Sequence, residues 1–154
     1  MSDRTHSESI VIDASPEAVY DLVSDVTRTG EWSPVCKECW WDEGATGAVG
    51  DVFTGRNVLP DRTWETRCTV THADRGREFG WLVGDSLVKW VYAMEPADGG
   101  TRLTEHWEFL PNGIALFRER FGDKADEAIA NRTQLAHQGI SETLATMKRL
   151  AETG

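Results

Sequence analysis

Seven tryptophans among 154 residues set the hardest constraint on how this chain can fold. Five of them, Trp40, Trp64, Trp81, Trp90 and Trp107, sit in short stretches rich in β-branched and aromatic residues. An indole is large, and its N–H needs a partner when buried. A small solid core has little room for so many. A sheet curled around a void has room, because its concave face can present wide rings and a few polar tips to a ligand. A solid core crowded with aromatic rings is the competing reading of the same pattern.

Size and charge narrow the partners. One domain spanning residues 1–154 is expected, long enough to bury a core without staples. Hydrophobic residues make up 40% and charged ones 27%, the balance of a globular chain. A formal net charge of −10 argues against nucleic acid or an anionic membrane as the main partner. No run approaches the roughly 20 apolar residues of a membrane span. The opening Met1-Ser2-Asp3-Arg4-Thr5-His6 lacks the apolar stretch of a secretory signal, so a cytoplasmic location is expected. The three cysteines are an odd number and imply no disulfide framework. Cys36-Lys37-Glu38-Cys39 has C-x-x-C spacing, but no second pair follows to complete a metal site. On a regular strand these two thiols would also point to opposite faces. Two packing cysteines, with no metal and no cofactor, are the expectation.

Periodicity gives the order of elements. Ser7–Asp13 reads as a strand, followed by a helix with Ser15 as N-cap and Pro16 at its first position. Val19, Leu22, Val23 and Val26 form the apolar face of that helix. It should end before Gly30, with a second short helical turn around Arg28–Trp32 that stops at Ser33-Pro34. Strands and turns then alternate to Leu110, with Asp51–Val58, Arg62–Thr71, Glu78–Val83, Ser86–Glu95 and Thr101–Phe109 as the clearest segments. Connections this short make neighbours antiparallel. A loop or short helix carries Ile114, Leu116, Phe117 and Phe121. A long helix then runs from about Asp123, its expected N-cap, to about Ala151. Ala125, Ile129, Thr133, Ala136, Ile140, Leu144 and Met147 share one face of it, small or polar in the first half and bulky in the second. The fold class is α+β: a curved antiparallel sheet of about seven strands around a long C-terminal helix, with two short helices after strand 1.

This order and its local motifs resemble the START-like helix-grip superfamily (SRPBCC), and within it the polyketide cyclase/dehydrase-like branch. The resemblance rests on Ile12-Asp13-Ala14-Ser15-Pro16-Glu17-Ala18-Val19-Tyr20, Arg28-Thr29-Gly30-Glu31-Trp32-Ser33-Pro34 with Trp40, Gly50–Asn57 with Trp64, and Glu95–Glu105. It covers nearly the whole chain. It implies a deep, largely apolar cavity between sheet and terminal helix. Some relatives close or aromatise polyketide rings, others carry lipids, sterols or hormones, and some regulate partner proteins.

Strand parity supplies the candidate lining. Leu103, Glu105, Trp107 and Phe109 share the inner face of the last strand, and Val88, Trp90, Tyr92 and Met94 that of the one before. Phe79, Trp81 and Val83 follow, then Trp64, Thr66, Cys68 and Val70, then Phe53, Gly55 and Asn57. The residues expected to meet a ligand are Phe53, Asn57, Trp64, Cys68, Phe79, Trp81, Trp90, Tyr92, Met94, Glu105 and Trp107, with Phe117 and Phe121 from a gate and Ile129, Thr133 and Ala136 from the helix. Glu105 among aromatics is costly to bury unless it is paired, hydrogen-bonded or protonated. It reads either as a strand-end carboxylate reaching water or an arginine, or as a polar anchor or acid/base. Asn57 either fixes a ligand carbonyl or hydroxyl or ties neighbouring strands. None of His6, His72, His106 and His137 is placed as a catalytic base.

Three functions fit. The first is binding of a hydrophobic ring-containing or acyl small molecule. The second is cyclase, aromatase or dehydratase chemistry, with Glu105 or Tyr92 exchanging protons with an enolisable carbon while Asn57 holds a carbonyl oxygen. The third is a regulatory interaction module, with a homodimer left open, that uses a sheet face or an exposed Trp41; Trp40 and Trp41 have opposite parity, so one should lie outside.

Overall fold

A computed structural model describes residues 4–153. Met1–Asp3, half of the segment read as lacking a signal, and Gly154 lie outside the described residues.

Strand β1 (Thr5–Ile12) leads into helix α1 (Pro16–Val23). The Ser15 hydroxyl caps that helix by accepting the Ala18 N–H at 3.1 Å, which satisfies one of the free amides of the first turn. A single 3-10 turn, Val26–Glu31, follows and feeds β2 (Cys36–Trp41). Gly30 makes that passage possible: a Cβ there would lie 2.2 Å from the Lys37 carbonyl oxygen. Strands β3 (Val52–Leu59), β4 (Arg62–Asp74), β5 (Glu78–Val83), β6 (Val88–Ala97) and β7 (Gly100–Phe109) complete the sheet, and helices α2 (Pro111–Phe121) and α3 (Ala125–Thr153) close the chain. The order is β1-β7-β6-β5-β4-β3-β2, antiparallel at every step. Seven antiparallel strands around a 29-residue helix form the expected helix-grip architecture.

Helix α3 buries the whole apolar face read from its spacing, from Ala125 to Met147, with Thr143 added. Its start differs from expectation. Gly122–Lys124 forms a 3-10 turn, so Asp123 lies inside that turn and is not the N-cap of α3. The segment read as a loop or short helix is helix α2, opened by Pro111 at the one place where its missing N–H costs nothing.

Two expectations about β2 fail for one local reason. A bulge between Cys36 and Glu38 inserts an extra residue against β3, so Cys36 and Cys39 come to the same side instead of opposite sides. Their sulfurs are 3.3 Å apart. Beyond the bulge, Trp41 turns inward and packs edge-on against Phe53 at 5.4 Å. Trp40 takes the outer side, under the Arg56 guanidinium at 5.3 Å. Trp41 is therefore no exposed contact. The Gly44–Gly50 loop lies over it, held by the Asp51 carboxylate, which accepts the N–H groups of Thr46, Gly47 and Ala48. Val49 is the only exposed large hydrophobic side chain among the described residues. No helix among them is long and apolar enough to cross a membrane.

Packing divides the concave face in two. At the α1 end, Val19, Phe79, Leu103 and Met147 are completely buried, and Tyr20 meets the Phe79 ring edge-on at 6.0 Å. That end is solid. The opposite end, toward β2 and the 3-10 turn, is hollow.

Candidate functional site

The hollow end holds a cavity of about 190 Å³. A void of roughly 150 Å³ is enough to admit a benzene ring, so the cavity accepts about one ring with small substituents. Strands β3 to β7 supply Phe53, Gly55, Asn57, Trp64, Thr66, Cys68, Trp81, Val83, Val88, Trp90, Tyr92, Glu105 and Trp107. Helix α3 supplies Arg132, Leu135, Ala136, Gly139 and Thr143. Val23, Val26, Thr29, Trp32, Ser33, Pro34, Val35, Cys36 and Cys39 close the remaining side.

Several sequence candidates stand elsewhere. Phe79 and Met94 carry the inward parity but belong to the solid end, where α1 fills the space above them. Ile129 and Thr133 are buried without reaching the void, and the Thr133 hydroxyl is turned back onto the Ile129 carbonyl at 2.9 Å. The stripe of α3 facing the cavity runs through 132, 136, 139 and 143, beside the apolar stripe that periodicity selects. Phe117 and Phe121 line an outer recess with Leu59, Asp61 and Arg62, which shares Arg132 and Leu135 with the inner cavity. Phe117 packs edge-on against Phe109 and Phe121.

The aromatic wall is continuous. Trp81 touches Phe53, Trp90 and Tyr92 at centroid distances of 5.5, 6.4 and 5.9 Å. Within it stands Glu105, 3% exposed, with one carboxyl oxygen lacking any hydrogen-bond partner. Burial pushes its pKa up to about 8 against a smaller lowering by the neighbouring Tyr92 hydroxyl, and the Glu8 charge adds to the rise. Glu105 is thus mainly a neutral acid at pH 7, able to donate a proton or a hydrogen bond. No arginine among the described residues pairs with it. Burial, with Glu105 beside it, also holds Tyr92 well above its ordinary range. Asn57 uses its amide nitrogen on β4, donating to the Trp64 carbonyl at 3.4 Å and the Thr66 hydroxyl at 3.3 Å. Strand tying is its visible role.

Sequence reasoning missed Arg132. Its guanidinium lies over the Trp64 ring at 5.4 Å and the Phe117 ring at 5.9 Å, and Arg62 covers Trp64 at 4.4 Å. No carboxylate among the described residues pairs with it. Burial and then Arg62 lower its pKa. Cation–π contact offsets part of that cost. Helical spacing from Ala136 back to 132 was the available signal. His137, off the apolar stripe as expected, stacks on His6 at 4.0 Å and meets Trp107 edge-on.

A curved sheet gripping a helix around an aromatic cavity defines a helix-grip protein with a hydrophobic ligand-binding fold. Residues 4–152 match the family described as polyketide cyclase / dehydrase and lipid transport, and the chain belongs to that family. The solution structure of the Polyketide_cyc-like protein Cgl2372 from Corynebacterium glutamicum is 55% identical, with 96% of this chain and 91% of that one covered and a TM-score of 0.73. The ZhuI aromatase/cyclase from Streptomyces sp. R1128 is similar in fold at 15% identity, with 97% and 93% covered and a TM-score of 0.71. The di-domain aromatase/cyclase StfQ of the steffimycin pathway is 14% identical at a TM-score of 0.72; 97% of this chain covers 51% of it, about half its length. No curated protein matches the sequence.

Proposed function

We propose that the protein binds an apolar, ring-containing or acyl small molecule that ends in an acidic group, acting as one domain. The observation that carries this reading is the cavity walled by Trp64, Trp81, Trp90 and Trp107, with a guanidinium, Arg132, that no carboxylate among the described residues pairs with at its outer end. The rings supply contact area. No carboxylate among the described residues pairs with Arg132, so an acidic ligand would gain a charge-assisted bond there. Arg132 and Leu135 border both the cavity and the outer recess, which supports an orientation with the acidic end toward Phe117 and Phe121 and the apolar end toward Trp81 and Trp107.

The test is quenching of tryptophan emission by a panel of aromatic and acyl carboxylic acids, each beside its methyl ester. Saturable quenching by acids, weakened at least tenfold for the esters and lost in Trp90→Phe, is expected. Equal response to acid and ester would remove Arg132 from the reading, and no response from folded protein would remove the reading itself.

One observation favours a second reading, an enzyme of the cyclase or dehydratase kind. A carboxylic acid that is neutral near pH 7, with an unpartnered oxygen inside an apolar cavity, is a poised proton donor for an enolisable carbonyl. In that case Glu105→Gln abolishes turnover of a poly-β-keto substrate while leaving its binding nearly intact; equal loss of both would refute the role.

A further inference from the structure

The bulge in β2 creates a feature beyond the aromatic wall and Arg132. Cys36 and Cys39 both face the cavity, their sulfurs 3.3 Å apart. Space for the pair comes from Gly55 across the ladder: a Cβ there would lie 3.0 Å from the Cys36 sulfur and 3.3 Å from that of Cys39. A disulfide needs about 2.05 Å between sulfurs, so closure asks for an approach of little more than about 1 Å. Because β2 is the edge of the sheet, with β3 as its one ladder partner, its backbone can follow that approach. No set of three or more His, Cys, Asp or Glu among the described residues is arranged to hold a metal. We propose that Cys36 and Cys39 are a reversible dithiol–disulfide site in the cavity wall, oxidised by a peroxide small enough to enter and reopened by a small thiol.

The two sulfurs have different parts. The contact with the Cys36 thiol lowers the Cys39 pKa against its burial, whereas the partner sulfur and burial raise that of Cys36. In the proposed step Cys39 is the attacking thiolate, with Cys36 at 3.3 Å as the resolving thiol. It takes one oxygen of hydrogen peroxide: an S–O bond forms, the O–O bond breaks, and hydroxide leaves. Cys36 then attacks the Cys39 sulfenic acid; the S–S bond forms, the S–O bond breaks, and the Cys36 proton completes the water balance. Two thiols and one peroxide become one disulfide and two waters. Cys68, buried and with its thiol pushed up to about 12, takes no part.

The experiment treats the folded protein with one equivalent of hydrogen peroxide, then measures intact mass, free thiols after unfolding in an alkylating reagent, and tryptic peptides. Two of the three thiols should disappear with a mass loss of about 2 Da, restored by dithiothreitol. Cleavage after Lys37 should leave two peptides joined only through Cys36 and Cys39. Cys68→Ser should behave identically, and Cys36→Ser should trap a sulfenic acid on Cys39. A disulfide involving Cys68, covalent dimers, or three intact thiols under conditions that oxidise free dithiothreitol would overturn the proposal.

Discussion

Replacing Glu105 with glutamine should change how stability depends on pH. Glu105 ionises at about 8 in the folded protein against an ordinary 4.5, so between those values the folded state holds a proton that the unfolded state has released. Stability must then fall as pH rises through that window, since the unfolded state binds fewer protons there. Each unit of separation is about 1.4 kcal/mol, so the whole span amounts to roughly 4–5 kcal/mol, complete only above pH 8. Glutamine keeps the shape and a neutral amide but cannot ionise. Any packing or hydrogen-bond offset it introduces is constant with pH. Urea unfolding at pH 5, 6, 7, 8 and 9 should therefore show the variant gaining on wild type by about 1 kcal/mol or more per unit up to about pH 8 and levelling off beyond. A pH-independent difference would mean that Glu105 ionises at an ordinary value in the folded protein, and the neutral-acid argument would fail with it.

Further perturbations probe other parts of the molecule. Arg132→Met should raise stability slightly or leave it unchanged, because it removes a half-buried cation that no carboxylate among the described residues pairs with. The same change should weaken carboxylate ligands by about 1.5–3 kcal/mol, the worth of a hydrogen bond to a charged group, read as a rise in Kd of roughly 10- to 150-fold. Phe79→Ala should cost about 3–5 kcal/mol in urea unfolding while leaving ligand quenching in place, since Phe79 lies outside the cavity. Gly30→Ala should cost about 2 kcal/mol or more and disturb β2, because its Cβ collides with the Lys37 carbonyl; a neutral result would show that the 3-10 turn can shift freely.

The fold was legible because its signals are local and repeated. Ser15-Pro16 marks a helix start by chemistry that no tertiary contact overrides, and five strands show their parity in side chains two residues apart. The seven-residue set from Ala125 to Met147 is a periodic pattern long enough to survive an error at either end. The site was legible only in part, and parity explains both outcomes. Parity says which face a side chain takes, so Trp81, Trp90, Tyr92, Glu105 and Trp107 come to the cavity wall. It does not say what sits above that face, so Phe79 and Met94 were grouped with them although α1 covers that end. Parity also fails across a bulge, and no local signal in Cys36-Lys37-Glu38-Cys39 announces the extra residue. Arg132 escaped because an apolar stripe hides a polar neighbour one helical position away.

The division of the concave face into a solid and a hollow end has a dynamic consequence. Backbone amides of β5 to β7 beside Phe79, Leu103 and Met147 can exchange with solvent only through near-global unfolding. Those of β2, on an edge strand above a void, can exchange through local opening. The molecule should therefore open first at its hollow end, the end that holds the cavity. Occupancy of the cavity would slow exchange chiefly in β2 and β3, so the protein's stability gradient becomes a readout of whether it is loaded.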